Sequence, residues 1–192
     1  MKILHTADWH LGTFRSPVKD GVNLRTEDTK RCLDELIRVA NEEKPDYSLV
    51  SGDIFHVGRL WSDRCCEEII TAIHYIRELA AVSKQVVVMR GTPNHDGSGQ
   101  FNVLSEMFAD VPNVHVVITP QVISFDDVDI PVLPGFDRGV FRANHPGLSS
   151  DEENVVFTNE LSNIVTGLKA QCSPEKKSIL MAHYTVPGCN TE

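Results

Sequence analysis

The sequence contains few features that would place it outside the ordinary globular proteins. Aromatic residues make up only 7% of the 192 residues, and no apolar run approaches the roughly 18 residues that a membrane-spanning helix needs. The first ten residues include His5 and Asp8, which interrupt the apolar core that a signal peptide would require. We therefore expect a globular, cytoplasmic protein without a membrane partner.

Cysteine is too scarce and too irregularly spaced for a disulfide framework or a zinc ribbon. The five cysteines are odd in number, Cys65 and Cys66 are adjacent, and no CxxC pair occurs. Thiolate chemistry is therefore not predicted.

Basic residues are also in deficit. The sequence has 18 Lys and Arg residues against 27 Asp and Glu residues, which gives a net charge of -9. A surface that binds nucleic acid directly needs a basic face to neutralise phosphates. This balance argues against direct electrostatic binding of DNA or RNA. It leaves metal-mediated recognition open, because bound divalent cations change the local charge.

Strand-like and helical patterns alternate along the chain, which is typical of an α/β domain in which helices connect the strands of a sheet. The predicted strands are residues 2–7, 47–53, 85–91 and 178–183, with shorter β segments at 114–118, 121–125 and 130–133. The predicted helices are residues 25–43, 62–81, 101–108 and 150–170. We expect the middle β segments to form antiparallel or mixed sheet, and residues 1–192 to form one domain.

Two details of this prediction concern segments near the predicted strand ends. In the helix over 62–81, Ser62 is the predicted N-cap, and Ile69, Ile70 and Ile73 are predicted to face the core. Residues 13–24 form the longest early irregular segment. Loops of this kind often carry binding residues.

Polar side chains follow four of the predicted strands at the points where the strands end. In an open α/β sheet these ends converge on one crevice, so residues distant in sequence can meet there. Carboxylate, imidazole and amide groups together suit divalent ions such as Mn²⁺, Fe²⁺ or Zn²⁺. The residues concerned are Asp8, His10, Asp53, Asn94, His95, Asp96 and His183.

Taken singly, each of these pieces has an ordinary structural explanation. An Asp-x-His at Asp8 is short enough to arise by chance, and Gly-Asp at Asp53 is common turn chemistry. The Asn-His-Asp of residues 94–96 can form a loop hydrogen-bond network. The conjunction of the pieces, each after its own strand, predicts a metal site.

These motifs resemble those of the calcineurin-like metallophosphoesterases, and within that superfamily the SbcD-type DNA double-strand-break repair nucleases. The matching segments are DWH at Asp8, GDIFH from Gly52, PNHDG from Pro93 and AHYTVPG around His183. The resemblance runs from Lys2 to Glu192. It implies a sandwich of mixed β-sheets flanked by α-helices, with the metal site at the C-terminal strand ends.

The resemblance also implies how the site works. It implies two divalent ions, Mn²⁺ foremost, with Mg²⁺, Fe²⁺ and Zn²⁺ as alternatives. Asp8 and His10 would bind one ion, Asp53 would bridge both, and Asn94 and His183 would bind the second.

Three catalytic residues follow from the same resemblance. His95 is implied to be the catalytic histidine, and Asp96 is expected to orient it and fix its tautomer. His56 matches a position near the scissile phosphate. The implied activity is exonuclease and endonuclease cleavage of DNA ends, hairpins or single strands, with an SbcC-type ATPase and a second copy of the chain as partners.

Two departures from the family pattern leave other functions open. Thr92 and Pro93 separate Gly91 from Asn94, where glycine usually stands directly before the Asn-His-Asp triplet. The family's final Gly-His-x-His motif is missing before the last residue, Glu192, so we expect the domain to be C-terminally incomplete. The alternatives are a metallophosphoesterase acting on nucleotides or phosphoproteins, and an inactive nuclease-like core serving as a scaffold.

Overall fold

A computed structural model describes residues 1–12, 14–58 and 63–184, with the side chains of residues 63–66 left out. The chain forms two compact units, Met1–Ile118 and a second unit that begins at Thr119. The strands are β1 Ile3–Thr6, β2 Val18–Lys19, β3 Val22–Asn23, β4 Tyr47–Ser51, β5 Gln85–Met89, β6 Val114–Val117, β7 Gln121–Ser124, β8 Val128–Leu133, β9 Lys177–Ser178 and β10 Met181–Ala182. The helices are α1 Leu24–Glu43, α2 Asp63–Val82, α3 Ser98–Met107, α4 Arg138–Asn144 and α5 Ser150–Gln171.

The first unit is built on a parallel sheet with the strand order β1-β4-β5-β6. The central strand β4 is buried at every position and β5 at four of its five positions, as expected for parallel strands covered on both faces. The predicted α/β class, with helices between the strands, is confirmed. Because β1, β4 and β5 run in the same direction, the segments that follow them leave the sheet at one edge.

The second unit contains a mixed sheet. In it β7 pairs with β8 in antiparallel fashion, while β9 and β10 pair with β8 in parallel fashion. The predicted mixed sheet is thus found for β7 and β8, whereas β6 joins the parallel sheet of the first unit. Helix α4 was not predicted, although its N-cap Asp137 accepts hydrogen bonds from the backbone N–H groups of Gly139 and Val140.

The predicted inward face of α2 is only partly correct. Ile69 and Ile73 pack against the core, but Ile70 is 66% exposed, and the fully buried residues of the helix include Ile76 and Leu79 instead. Apolar residues occupy most sides of this helix, so periodicity alone did not fully identify the face that packs on the sheet. The predicted N-cap, Ser62, lies outside the described residues.

The segment predicted to be irregular over residues 13–24 contains a short hairpin. Strands β2 and β3 pair across Asp20 and Gly21, which have φ values of 53° and 81°. Positive φ at both central residues is the geometry of a type I′ turn, which matches the twist of paired strands. Among the described residues, no helix has the length and apolar character needed to cross a bilayer.

Asp46 fixes the end of the sheet opposite the predicted site. Its carboxylate accepts a 2.7 Å hydrogen bond from the backbone N–H of Lys2 and pairs with Lys84, while its backbone carbonyl accepts from the N–H of Gln85. The residue therefore connects the beginnings of β1, β4 and β5. The hydrogen bond from Lys84, followed by that from Lys2, lowers the pKa of Asp46 to about 2.

We predict that Asp46→Asn destabilises the protein at pH 7 but not near pH 2. A carboxylate whose pKa is depressed on folding contributes stability above its unfolded pKa of about 3.9, and this contribution is lost as the pH falls through about 2. Urea denaturation at several pH values measures the difference. Asp110→Asn, at an exposed position, serves as the control. An equal destabilisation by Asp46→Asn at both pH values would contradict the prediction.

Candidate metal centre

The segments that follow β1 and β4 are hydrogen-bonded to each other beyond the strand ends. The backbone N–H of Asp8 donates to the carbonyl of Gly52 at 3.0 Å, and that of His10 donates to Asp53 at 3.0 Å. Leu11 and Phe55 continue the pairing as a parallel bridge. The hydrogen bonds between these two loops thus continue the parallel pairing of β1 with β4. They fix the backbone that carries three of the predicted site residues.

The backbone at these residues adopts the left-handed conformation. Asp8, His10 and Asp53 have φ values of 56°, 46° and 50°, and Gly52 has 89°. For residues other than glycine this conformation costs roughly 1–2 kcal/mol each. The hydrogen bonds between the two loops offset this conformational cost. The strained backbone is therefore stable at the positions of the predicted ligands.

Three predicted metal ligands lie together at this edge. One side-chain ligand atom from each of Asp8, His10 and Asp53 lies within 4.8 Å of the others. His10 Nε2 is 3.6 Å from Asp8 Oδ1, and Asp53 is 5% exposed. We call these three residues the carboxylate group.

The donor chemistry of this group fits a divalent cation. Two carboxylates and an imidazole offer the oxygen and nitrogen ligands that borderline and hard divalent ions accept. His10 Nδ1 is also buried and lacks a hydrogen-bond partner among the described residues. A buried nitrogen of this kind is stabilised by coordination to a metal, because an unsatisfied polar atom is otherwise costly.

His95, the predicted catalytic histidine, lies beside the carboxylate group. Its ring centroid is 4.6 Å from that of His10, and its Nδ1 is 2.6 Å from the backbone carbonyl of His56. A carbonyl oxygen can only accept, so the proton of this hydrogen bond is on Nδ1. This leaves Nε2 as the ring nitrogen available for other interactions. The tautomer-fixing contact expected from Asp96 is therefore made by the carbonyl of His56 instead.

Asp96 has a different partner set from the one expected. Its side chain is fully buried, and its two oxygens accept from the backbone N–H groups of Phe55, at 3.0 Å, and Gly91, at 2.7 Å. Burial, with a smaller contribution from the nearby charge of Asp53, raises the pKa of Asp96 to about 6 against the lowering effect of these hydrogen bonds. Asp96 thus connects the loops that follow β4 and β5.

His56 is held by an aromatic and cationic stack that the sequence did not reveal. The ring of Phe14 lies 4.1 Å from the ring of His56, and the guanidinium of Arg25 lies 4.6 Å from the centre of the Phe14 ring. Burial lowers the pKa of His56, and the positive charges of His10, His95 and Arg25 lower it further. No local pattern pairs Phe14 with His56, because the contact joins two different loops.

Thr92 orients the carboxylate of Asp53. Its backbone N–H and its hydroxyl Oγ1 lie 2.6 Å and 3.0 Å from Asp53 Oδ1. Its own carbonyl accepts from the backbone N–H groups of His95 and Asp96. Thr92, which departs from the family spacing, therefore joins the carboxylate of Asp53 to the turn that carries the predicted catalytic histidine. Sequence reasoning noticed the departure but not this role.

Gly91 allows Asp53 to approach the end of β5. A Cβ added to Gly91 would overlap both the backbone N and the Oδ1 of Asp53. A Cβ added to Gly12 would likewise overlap the Cβ of His56. Glycine is therefore required at these two positions by close approach between loops.

The other predicted ligands have the following positions. Asn94 lies in the turn after β5, with an exposed side chain, and its backbone carbonyl accepts from the N–H of Gly58 at 2.8 Å. His183 directly follows β10 in the second unit and is half-buried. Their assignment as metal ligands stays a prediction.

A family model described as calcineurin-like phosphoesterase matches residues 1–191. The chain belongs to this family of phosphate-ester hydrolases, which use divalent metal ions. The resemblance inferred from the motifs is confirmed.

Two curated proteins and one solved structure are also similar. The SbcD component of the nuclease SbcCD from Staphylococcus epidermidis is 24% identical over 100% of this chain and 48% of its own length. The protein of the same name from Staphylococcus saprophyticus is 26% identical over 98% of this chain and 47% of its own length. The chain thus spans about half the length of these relatives. The phosphopantetheinyl hydrolase PptH of Mycobacterium tuberculosis has a TM-score of 0.44 and 14% identity, covering 96% of this chain and 68% of its own.

We predict that Gly91→Ala destabilises the protein by on the order of 1–3 kcal/mol, because backbone atoms of Asp53 cannot move aside without strain. Urea denaturation measures the loss. Gly167→Ala is the matched control, since an added Cβ there meets nothing within 4 Å and alanine favours helix α5. An unchanged or increased stability of Gly91→Ala would contradict the close approach.

We further predict that Thr92→Val weakens Mn²⁺ binding, whereas Thr92→Ser retains it. Valine preserves the size and the backbone N–H but removes the hydroxyl that helps to orient Asp53 Oδ1. Loss of a hydrogen bond that orients a metal ligand costs about 10–100-fold in affinity. Electron paramagnetic resonance of free Mn²⁺ gives the affinity. Equal affinities for the valine and serine variants would show that the hydroxyl has no such role.

Proposed function

We propose that this calcineurin-like phosphoesterase is a metal-dependent phosphodiesterase that cuts DNA. The proposal is carried by one observation, the meeting of Asp8, His10 and Asp53 within 4.8 Å at the carboxyl edge of the parallel sheet. Family membership supplies the reaction class. His95, next to this group, supplies a nitrogen for proton transfer.

Within this proposal the metal ligands are assigned as the motifs imply. Asp8 and His10 bind one ion, Asp53 bridges two, and Asn94 and His183 bind the second. Mixed oxygen and nitrogen donors suit Mn²⁺, Fe²⁺ or Zn²⁺, and the resemblance to SbcD-type nucleases puts Mn²⁺ first, with Mg²⁺, Fe²⁺ and Zn²⁺ as alternatives. Thr92 and Gly91 support the assignment of Asp53, because both constrain the position of its carboxylate.

The chain's own residues supply the proton chemistry. When bound, the divalent ions would activate a water and offset charge on the phosphoryl oxygens. The Nδ1–H of His95 donates to the His56 carbonyl, so Nε2 is the nitrogen that, when it also carries a proton in the imidazolium form, stabilises the phosphoryl group or gives that proton to the leaving 3′-oxygen. His56 lies beside His95, with ring centroids 5.9 Å apart, and is proposed to contact the scissile phosphate. Asp96 acts indirectly by holding the loops of both groups together.

The choice of DNA as substrate is supported by the relatives rather than by charge. The two SbcD components of SbcCD nucleases align with nearly the whole chain. By the same argument we propose a role in DNA double-strand-break repair, an SbcC-type ATPase as partner and pairing of two copies of this chain. With a net charge of -9, binding to a polyanion would depend on the bound cations.

A phosphoesterase that acts on nucleotides or phosphoproteins is the second candidate. The acidic surroundings favour it, because a cavity of about 750 Å³ beside Asp8 is also lined by Asp28 and Glu35, with Arg25 as a basic lining residue. Such a lining disfavours a long polyanion more than a small substrate. A catalytically inactive scaffold is the third candidate, and activity measurements separate it from both.

We predict that the protein cleaves end-labelled single-stranded and hairpin DNA in the presence of Mn²⁺. His95→Ala should lower the rate by about 10²–10⁴-fold, because it removes the proton-transferring group, while Mn²⁺ still binds. Asp53→Asn should weaken Mn²⁺ binding itself. Metal titration and a gel assay for cleavage measure the two effects separately.

The contrary outcomes distinguish the candidates. Cleavage of a chromogenic phosphodiester or a nucleotide, with no cleavage of DNA, would contradict the DNA proposal and support the second candidate. Binding of Mn²⁺ without cleavage of any phosphate ester would support the scaffold. Full activity in His95→Ala would contradict the role of His95.

A further inference from the structure

Three histidines from three different loops form a second cluster in the first unit. One ring nitrogen from each of His10, His56 and His95 lies within 4.8 Å of the others. The ring centroids are 4.6 Å apart for His10 and His95, 5.9 Å for His56 and His95, and 6.1 Å for His10 and His56. We call these residues the imidazole group. It shares His10 with the carboxylate group but contains no carboxylate.

The nitrogens of this group are available for coordination. The Nδ1 proton of His95 is directed to the carbonyl of His56, so the lone pair of His95 is on Nε2. His10 Nδ1 is buried without a hydrogen-bond partner among the described residues.

The rings are also held in place before any ion binds. The ring of Phe14 packs against His56 at 4.1 Å, and the Nδ1 hydrogen bond anchors His95 at 2.6 Å. A tetrahedral zinc with Zn–N distances of about 2.0–2.1 Å places its nitrogens about 3.3 Å apart, so movements on the order of 1 Å close the group. Movements of this size need only small side-chain rotations.

We infer that the imidazole group is an inhibitory zinc site, distinct from the carboxylate group and in competition with it for His10. Zn²⁺ binds nitrogen ligands more tightly than Mn²⁺, and three histidines with one open position form an established kind of zinc coordination. Mn²⁺, by contrast, favours oxygen ligands and therefore the carboxylate group.

Zinc in this site acts on the reaction in two ways. It occupies Nε2 of His95, which then can neither hold nor donate a proton. It also withdraws His10 from the carboxylate group. This inhibition rests on the proposed function, but the zinc site itself does not, because binding is measured without any substrate.

The experiment compares Zn²⁺ and Mn²⁺ affinities of the metal-free chain at pH 7.5 by titration calorimetry, with Co²⁺ absorbance as a probe of nitrogen coordination. The imidazole group is tested by His56→Gln and His95→Gln, and the carboxylate group by Asp53→Asn, in which Oδ1 can still accept from Thr92. His74→Gln, on the exposed side of α2, is the matched histidine control. Circular dichroism establishes that each variant is folded. If one of the two glutamine variants is unfolded, the other alone tests the imidazole group.

We expect the zinc affinity to fall by roughly tenfold or more in His56→Gln and His95→Gln, to fall much less in Asp53→Asn, and to stay unchanged in His74→Gln. The Mn²⁺ affinity should fall in Asp53→Asn and stay unchanged in His56→Gln, His95→Gln and His74→Gln. The intense visible absorbance of tetrahedral Co²⁺ should disappear with the zinc site. Zinc affinity that depends on Asp53 as much as on His56, or that depends on neither His56 nor His95, would overturn the inference. If zinc binds as expected but Mn²⁺ supports no hydrolysis, the proposed function fails while the zinc site stands.

Discussion

The loops after β1 and β4 are hydrogen-bonded to each other, and the candidate site depends on this pairing. Asp8 donates to Gly52, and His10 donates to Asp53, so the two segments continue the parallel sheet beyond its strands. The pairing holds Asp8, His10 and Asp53 in the left-handed conformation, which isolated residues of these types rarely adopt. Each of these predicted ligands is therefore fixed by backbone that the sheet itself aligns. A loop of the same sequence without this pairing would not bring the two carboxylates together.

The third loop is joined to this pair by buried side-chain and backbone contacts. Asp96 accepts from Phe55 and Gly91, which connects the ends of β4 and β5. Thr92 donates to Asp53, and the carbonyl of His56 fixes the tautomer of His95. A buried carboxylate that accepts from two backbone segments costs desolvation energy, as the pKa of Asp96 near 6 reflects. The Asp96 carboxylate therefore fixes the geometry of the site at a cost in folding stability.

The sequence predicted those parts of the structure that depend on local pattern. Alternating strands and helices, and polar residues at strand ends, were recognisable because each is encoded within a few residues. The inward face of α2 was recognised only in part, because Ile70 and Ile76 are equally apolar and only packing on the sheet distinguishes them. The hydrogen bond from Thr92 to Asp53 and the stacking of Phe14 on His56 join positions about 40 residues apart, so no local pattern encodes them.

The paired loops should hold a divalent metal ion with the side chains of Asp8, His10 and Asp53. Crystals of the protein grown with Mn²⁺ and measured for anomalous scattering would locate such an ion. We expect an anomalous peak within coordination distance, about 2.0–2.3 Å, of side-chain atoms of all three residues. An Mn²⁺ ion bound away from Asp53, or well-ordered density for the three side chains without an anomalous peak at saturating Mn²⁺, would contradict it.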